Sequence, residues 1–156
     1  MVDTPNSTTS GGILRSWGDG SNNAYWLPFT PYTSAVSGTG IVTTGTTPVA
    51  MTTPLSVTVS GYYQYLAFFN FSGQNTDTGS AHDFRTQLAL DGATLGNYMQ
   101  HTCPSASGGL QTVSITNSFI ISTDDNLQHT ISGFACINST ANGNVIRSNL
   151  VVLGIS

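Results

Sequence analysis

Along most of this chain, apolar side chains come in short runs rich in Val, Ile, Tyr, Phe and Thr, and Gly, Pro, Asn and Asp punctuate the runs. That pattern predicts strands at Trp26 to Phe29, Gly40 to Thr43, Val49 to Met51 and Leu55 to Ser60. The longest apolar run is Tyr62 to Phe71, in which Tyr63, Tyr65, Ala67, Phe69 and Phe71 share one face and Tyr62, Gln64, Leu66, Phe68 and Asn70 the other. Both faces are largely apolar, so both are expected to be covered. A loop comes next at Gly73 to Ala81, and then a hairpin, Phe84 to Leu90 and Ala93 to Met99, turned by Asp91-Gly92. Asp-Gly between two alternating runs is a strong hairpin signal, because both residues tolerate the positive φ of a tight turn. Tyr98 to Gly109 reads as a second loop. Three more strands are expected at Leu110 to Ser122, Leu127 to Asn138 and Val145 to Ile155, the first two separated by the polar turn Thr123 to Asn126.

About eight to ten short strands without an intervening helical segment mean an all-β, antiparallel sandwich or barrel. Residues 1–23 are polar and Gly-rich, with Ile13, Leu14 and Trp17 as their large apolar anchors, and read as an extended N-terminal arm ahead of a domain at 24–156. No internal repeat of fixed period is visible.

Composition narrows the function. The chain has 156 residues, no Lys and no Glu; its charges are three Arg and seven Asp, 6% of residues in all. An ordinary soluble domain carries about 25%. The surface must be wetted by Thr, Ser, Asn and backbone, which suit strands and turns and disfavour helix. Three arginines cannot neutralise a run of phosphates, so nucleic acid is a poor partner, and a polybasic membrane anchor is excluded. No stretch is long and apolar enough for a membrane helix, and the first dozen residues lack the pattern of a signal peptide, so synthesis in a cytoplasm is expected.

The order of features carries a resemblance. An extended strand leads into Ser60-Gly61-Tyr62-Tyr63, an aromatic strand comes after it, a hairpin ends at Leu90-Asp91-Gly92, and an apolar strand, Leu150 to Ile155, closes the chain. Over residues 47–156 this resembles the jelly roll of complement C1q and tumour necrosis factor, above all the version found in bacteriophage capsid decoration proteins and fibre tips. The resemblance implies a homotrimer with aromatic residues near the three-fold axis, here Tyr63, Tyr65 and Phe69, and a last strand in the middle of the inner sheet.

Candidate chemistry is sparse. His82, His101 and His129 are the imidazoles and Asp is the sole carboxylate type, without a nucleophile motif, so no catalytic residue and no enzyme activity are expected. Asp77, His82 and Asp83 lie in or beside one loop, but calcium wants six to eight oxygens and no spaced His or Cys set points to zinc, so no metal and no cofactor are expected. Cys103 and Cys136 read as reduced thiols. Arg85 and Arg147 fall in strands and should reach solvent or pair with an Asp. Arg and Trp are enriched among interface anchors, so Ile13, Leu14, Arg15 and Trp17 are the expected attachment residues of the arm.

These readings converge on a virion structural protein, a trimer on the outer surface of a bacteriophage capsid that binds the major capsid protein. The competing expectation is a receptor-binding fibre tip that recognises a host surface glycan, with the loops at Gly73 to Ala81 or Tyr98 to Gly109 as its contact. No coiled-coil or repeat-rich shaft is read ahead of the domain, which favours decoration.

Overall fold

A computed structural model of the chain describes residues 12–16, 24–28, 31–37, 41–125, 127–139 and 143–155. Among them every regular element but one is a strand: β1 (Gly12–Ser16), β2 (Ala24–Pro28), β3 (Pro31–Ser37), β4 (Ile41–Val42), β5 (Val49–Val59), β6 (Gln64–Asn75), β7 (His82–Leu90), β8 (Ala93–Cys103), β9 (Gln111–Ser122), β10 (His129–Asn138) and β11 (Gly143–Gly154). The exception is a single 3₁₀ turn, Ala106–Gly108. The expectation of an all-β protein holds.

The chain divides into two compact units, Met1–Pro31 and Tyr32–Ser156. In the first, β1 and β2 pair as an antiparallel two-stranded sheet, Ile13 opposite Leu27 and Arg15 opposite Tyr25. Residues 1–23 were expected to form an arm separate from the domain at 24–156; here part of that stretch is one strand of a hairpin whose other strand begins at Ala24.

The second unit holds two sheets, one of order β5-β10-β7-β8 and one of order β3-β11-β6-β9, with β4 also against β11. The pairs nest. β7 pairs with β8, β6 with β9, β5 with β10, and β3 and β4 with β11, and successive shells of this nest fall alternately in the two sheets. Just after β4 the chain crosses between sheets, since Ile137 of β10 donates its N–H to Thr43 and its carbonyl accepts from Gly45.

Alternation drives this arrangement. β6 buries Tyr65, Ala67, Phe69 and Phe71, β9 buries Val113, Ile115, Asn117 and Ile121, and β5 buries Leu55, Val57 and Val59, on alternate positions of each strand. One slip of register would turn each apolar set to solvent, at about 1.5–3 kcal/mol per large side chain. Among the largest of these, Phe69 reaches across to β10, where a Cβ on Gly133 would lie 2.7 Å from its ring. Glycine there lets an aromatic from one sheet touch the backbone of the other.

Several element boundaries differ from expectation. Val49 to Met51 and Leu55 to Val59 are one strand, β5, and its register shifts along the way: Leu55 opposes Gly133 and Ala50 opposes Phe134, so a bulge that includes Pro54 separates the two paired stretches. Proline has no N–H to give the ladder, and the bulge absorbs it. The loop expected from Gly73 begins later, because β6 runs to Asn75, and the loop expected at Tyr98 to Gly109 is strand as far as Cys103. Both extensions are polar in sequence; they are strands because β9 and β7 offer them a ladder. The Asp91-Gly92 turn is as expected, with φ of 49° and 84°.

Candidate functional site

The register of the five-stranded sheet fixes what its outward face displays. At the end nearest the close of β11, Leu66, Ile120 and Leu153 stand side by side across three strands, and on the next rung Phe68 lies between Val151 and Ser118. Leu66, Phe68, Val151 and Leu153 are half-buried and Ile120 is 57% exposed. No charged residue interrupts this strip. Farther along, the same face turns polar, with Thr116, Asn70 and Asn149 on one rung and Ser114, Ser72 and Arg147 on another. These residues line a cleft of about 530 Å³.

A second apolar surface lies where the two sheets meet at their β8 and β9 edges. Met99 opposes the buried Thr86 and is 49% exposed, and Phe119 opposes the buried Ala67 and is 41% exposed, its ring against Gly96. Both sit on the inward phase of their strands, so alternation alone would bury them. The sandwich is open along this edge because β8 bulges away: Leu88 opposes Leu95 and Thr86 opposes Met99, leaving three residues of β8 facing one of β7. The Gln87 side chain closes the gap with a 2.7 Å bond to the Gly96 carbonyl.

Of the aromatics expected at a trimer interface, Tyr65 and Phe69 are fully buried within the single chain and have no surface to offer a second subunit. Tyr63, just before β6, is 53% exposed and available. Of the expected attachment residues, Ile13, Leu14 and Arg15 fall in β1, and Trp17 lies outside the described residues.

Two of the histidines are held in structural pairs with Asp. His129 bonds Asp91 Oδ2 through Nδ1 at 2.7 Å and Asp125 Oδ1 through Nε2 at 3.0 Å. Ionised carboxylates only accept, so satisfying both at once calls for two donating ring nitrogens, which the protonated imidazole supplies. The bond to Asp91, with that to Asp125, holds the His129 pKa above its usual value against partial desolvation. The Asp91 carboxyl is held below the usual range by His129 and the Thr130 N–H, and that of Asp125 by the Leu127 N–H and His129. This ties the β7–β8 turn to the loop before β10. Asp77 pairs with His82 at 2.7 Å, which with the Gly79 N–H lowers its pKa. Asp83 accepts instead from Gln100 and Thr102. Asp77, His82 and Asp83 thus do not converge, and among the described residues no three His, Cys or Asp side chains are placed to hold a metal ion.

Arg85 meets no Asp. Its guanidinium donates to Gln100 and to the Thr46 carbonyl and lies 4.8 Å from the Tyr98 ring centroid. Arg147 reaches solvent, as one of the two expected alternatives had it. Cys103 and Cys136 are both free and buried; Cys103 joins the core between the sheets, and burial raises the Cys136 thiol. Among the described residues no helix is long and apolar enough to cross a membrane.

The apolar strip and the Arg147 cleft are not evident in the sequence, because outward apolar residues look like core until a register is known. No model of a known protein family matches the chain, and no curated protein matches it in sequence.

Proposed function

We propose that this chain is a structural protein of a virus particle, a jelly-roll domain that assembles as a homotrimer and decorates the outer surface of a bacteriophage capsid. The nest of strand pairs dealt alternately into two sheets is what winding one long hairpin into a sandwich produces, and it supports the jelly-roll reading. β11 flanked by β3 and β6 also agrees with the resemblance, in which the last strand occupies the middle of a sheet.

The observation that carries the oligomer is the pair of unlike apolar surfaces. One is the strip Leu66, Phe68, Ile120, Val151 and Leu153; the other is the open edge at Met99 and Phe119. Interface cores are depleted in charge and rich in such residues. Because the two surfaces differ, docking one on the other is a head-to-tail contact, which closes into a ring when the rotation permits. A trimer is the small ring that the resemblance implies. Attachment to the shell falls to Ile13, Leu14, Arg15 and Trp17. A trimer presenting three copies of a modest site gains avidity, and a ligand specific for the assembled shell stabilises it by mass action, with no chemistry required.

Light scattering on the purified chain tests the oligomer. A mass three times 16.3 kDa is expected, with Phe68→Asp and Leu153→Asp reducing it to a monomer that keeps its far-ultraviolet dichroism. A monomeric wild type overturns the trimer. Co-sedimentation with candidate phage heads tests decoration, with binding lost when residues 1–23 are removed; binding that survives the truncation moves attachment elsewhere.

A further inference from the structure

The polar end of the outward face is built in a way that a solvated sheet does not need. Counting from the buried Val145, plain alternation would turn Arg147 into the core. It does not, because β11 carries a bulge there: Val145 opposes Gly73, Arg147 opposes Ser72, and the intervening Ile146 has no partner. Ile146 and Arg147 are both exposed, and Ser148 returns to the interior. A bulge of this kind re-aims a side chain, here the guanidinium, over the cleft.

Around it the cleft is lined by short polar groups from three strands. Ser72 and Ser114 face each other across β6 and β9 with their hydroxyls 3.4 Å apart. On the neighbouring rung the hydrogen bonds run in one direction: Thr116 Oγ1 donates to Asn70 Oδ1 at 2.9 Å, and Asn70 Nδ2 donates to Asn149 Oδ1 at 2.7 Å. That relay leaves the Asn149 amide nitrogen, two residues along β11 from Arg147, without a partner among the described residues. Arg147 likewise makes no ion pair or hydrogen bond with a described residue. No acidic side chain lines the cleft.

A forked cation beside an amide donor matches one carboxylate, which a guanidinium grips through two parallel bonds. A phosphate run would call for more cations than the one present. The remaining Ser and Thr hydroxyls suit a ligand that is itself hydroxylated, and about 530 Å³ is within the range of small-ligand sites. We propose that this cleft binds an acidic saccharide unit, with its carboxylate on Arg147 and Asn149 and its hydroxyls over Ser72, Ser114 and Thr116. A surface glycan would then sit on the sheet and away from the loops, whether or not the protein belongs to a capsid.

The test is a titration of the full ¹⁵N-labelled chain, monitored by NMR, with a glucuronate-containing disaccharide, its neutral glucose counterpart and inorganic phosphate. Saturable shifts at the side-chain amides of Asn70 and Asn149 are expected with the uronate alone, with Arg147→Gln weakening binding by about tenfold or more and Arg147→Lys by less, since an ammonium lacks the fork. Arg147 is exposed, so either variant should keep the wild-type spectrum elsewhere. No saturable shift with the uronate, equal binding of the neutral sugar, binding untouched by Arg147→Gln, or shifts mapping elsewhere each overturns the proposal. Phosphate binding as tight as the uronate overturns the saccharide and leaves a plain anion site. The oligomer mass, measured on the same sample, reports separately on the trimer.

Discussion

Replacing Gly133 by alanine tests the packing of the two sheets at a single point. The new Cβ would stand 2.7, 2.8 and 2.9 Å from three atoms of the Phe69 ring, closer than real Cβ contacts come. Gly133 lies beside the β5–β10 bulge but has an ordinary backbone, so the cost is steric and not conformational. Phe69 is fully buried and its ring also packs edge-on against Phe71 at 6.2 Å, so it has little room to move aside. Overpacking of this kind costs about 1–3 kcal/mol. In a domain of this size each kcal/mol moves Tm by about 2–4 °C, so Gly133→Ala should lower Tm by about 2–12 °C. Phe69→Leu removes the ring and leaves a cavity, also at a cost. In the double variant the methyl occupies part of the space the ring vacated, so the two costs should fall short of additive by about 0.5–3 kcal/mol. Urea unfolding of the four proteins of the cycle measures this coupling. Additivity within about 0.3–0.5 kcal/mol would refute the idea that this contact sets the sheet spacing.

Gly92→Ala offers a contrast: φ is 84° and nothing lies within 4 Å of the added Cβ, so the cost is backbone strain alone, about 1 kcal/mol by urea unfolding. Stability should fall on both sides of a plateau in pH. The raised pKa of His129 means its contribution is complete below about pH 6.5 and is lost as pH rises through the raised value, whereas the lowered values of Asp77, Asp91 and Asp125 mean theirs is complete above about pH 3.9 and is lost as pH falls through them. His129→Gln should flatten the alkaline limb of a Tm-against-pH curve and leave an acid limb from Asp77 and from the backbone N–H bonds that Asp91 and Asp125 keep; an unchanged alkaline limb would show that the His129 pairs contribute nothing. Asn75→Ala should cost about 2–3 kcal/mol, because the buried amide bonds the carbonyls of Ser80 and Pro104 and accepts from the Asp77 N–H, and truncation leaves these without their partner. Both thiols are buried, so a thiol reagent should label them in the native protein no faster than the protein opens, and prompt native labelling of either would contradict the structure.

The features legible in the sequence are those that local physics decides. The Asp91-Gly92 hairpin is visible because only a few dipeptides tolerate its φ values, and β9, β10 and β11 are visible as long runs rich in Val, Ile, Thr, Leu and Phe between polar turns. The extensions of β6 and β8 are not, since Gly73 to Asn75 and Gln100 to Cys103 read as loop until a neighbouring strand supplies hydrogen-bond partners. The same non-local effect hides the functional surfaces. In the run Tyr62 to Phe71 both phases are apolar, and alternation divides them into two faces without saying which faces the other sheet. That choice is made by the facing sheet, where Gly133 of β10 receives the Phe69 ring and Phe84 of β7 packs against Phe71, leaving Leu66 and Phe68 outside. Arg147 shows the limit most sharply. Its outward aim depends on one unpaired residue, Ile146, and no composition or period in the sequence marks a bulge there. A site created by a break in alternation is therefore invisible to a reading that relies on alternation, and its test has to be chemical: a carboxylate offered to that one guanidinium.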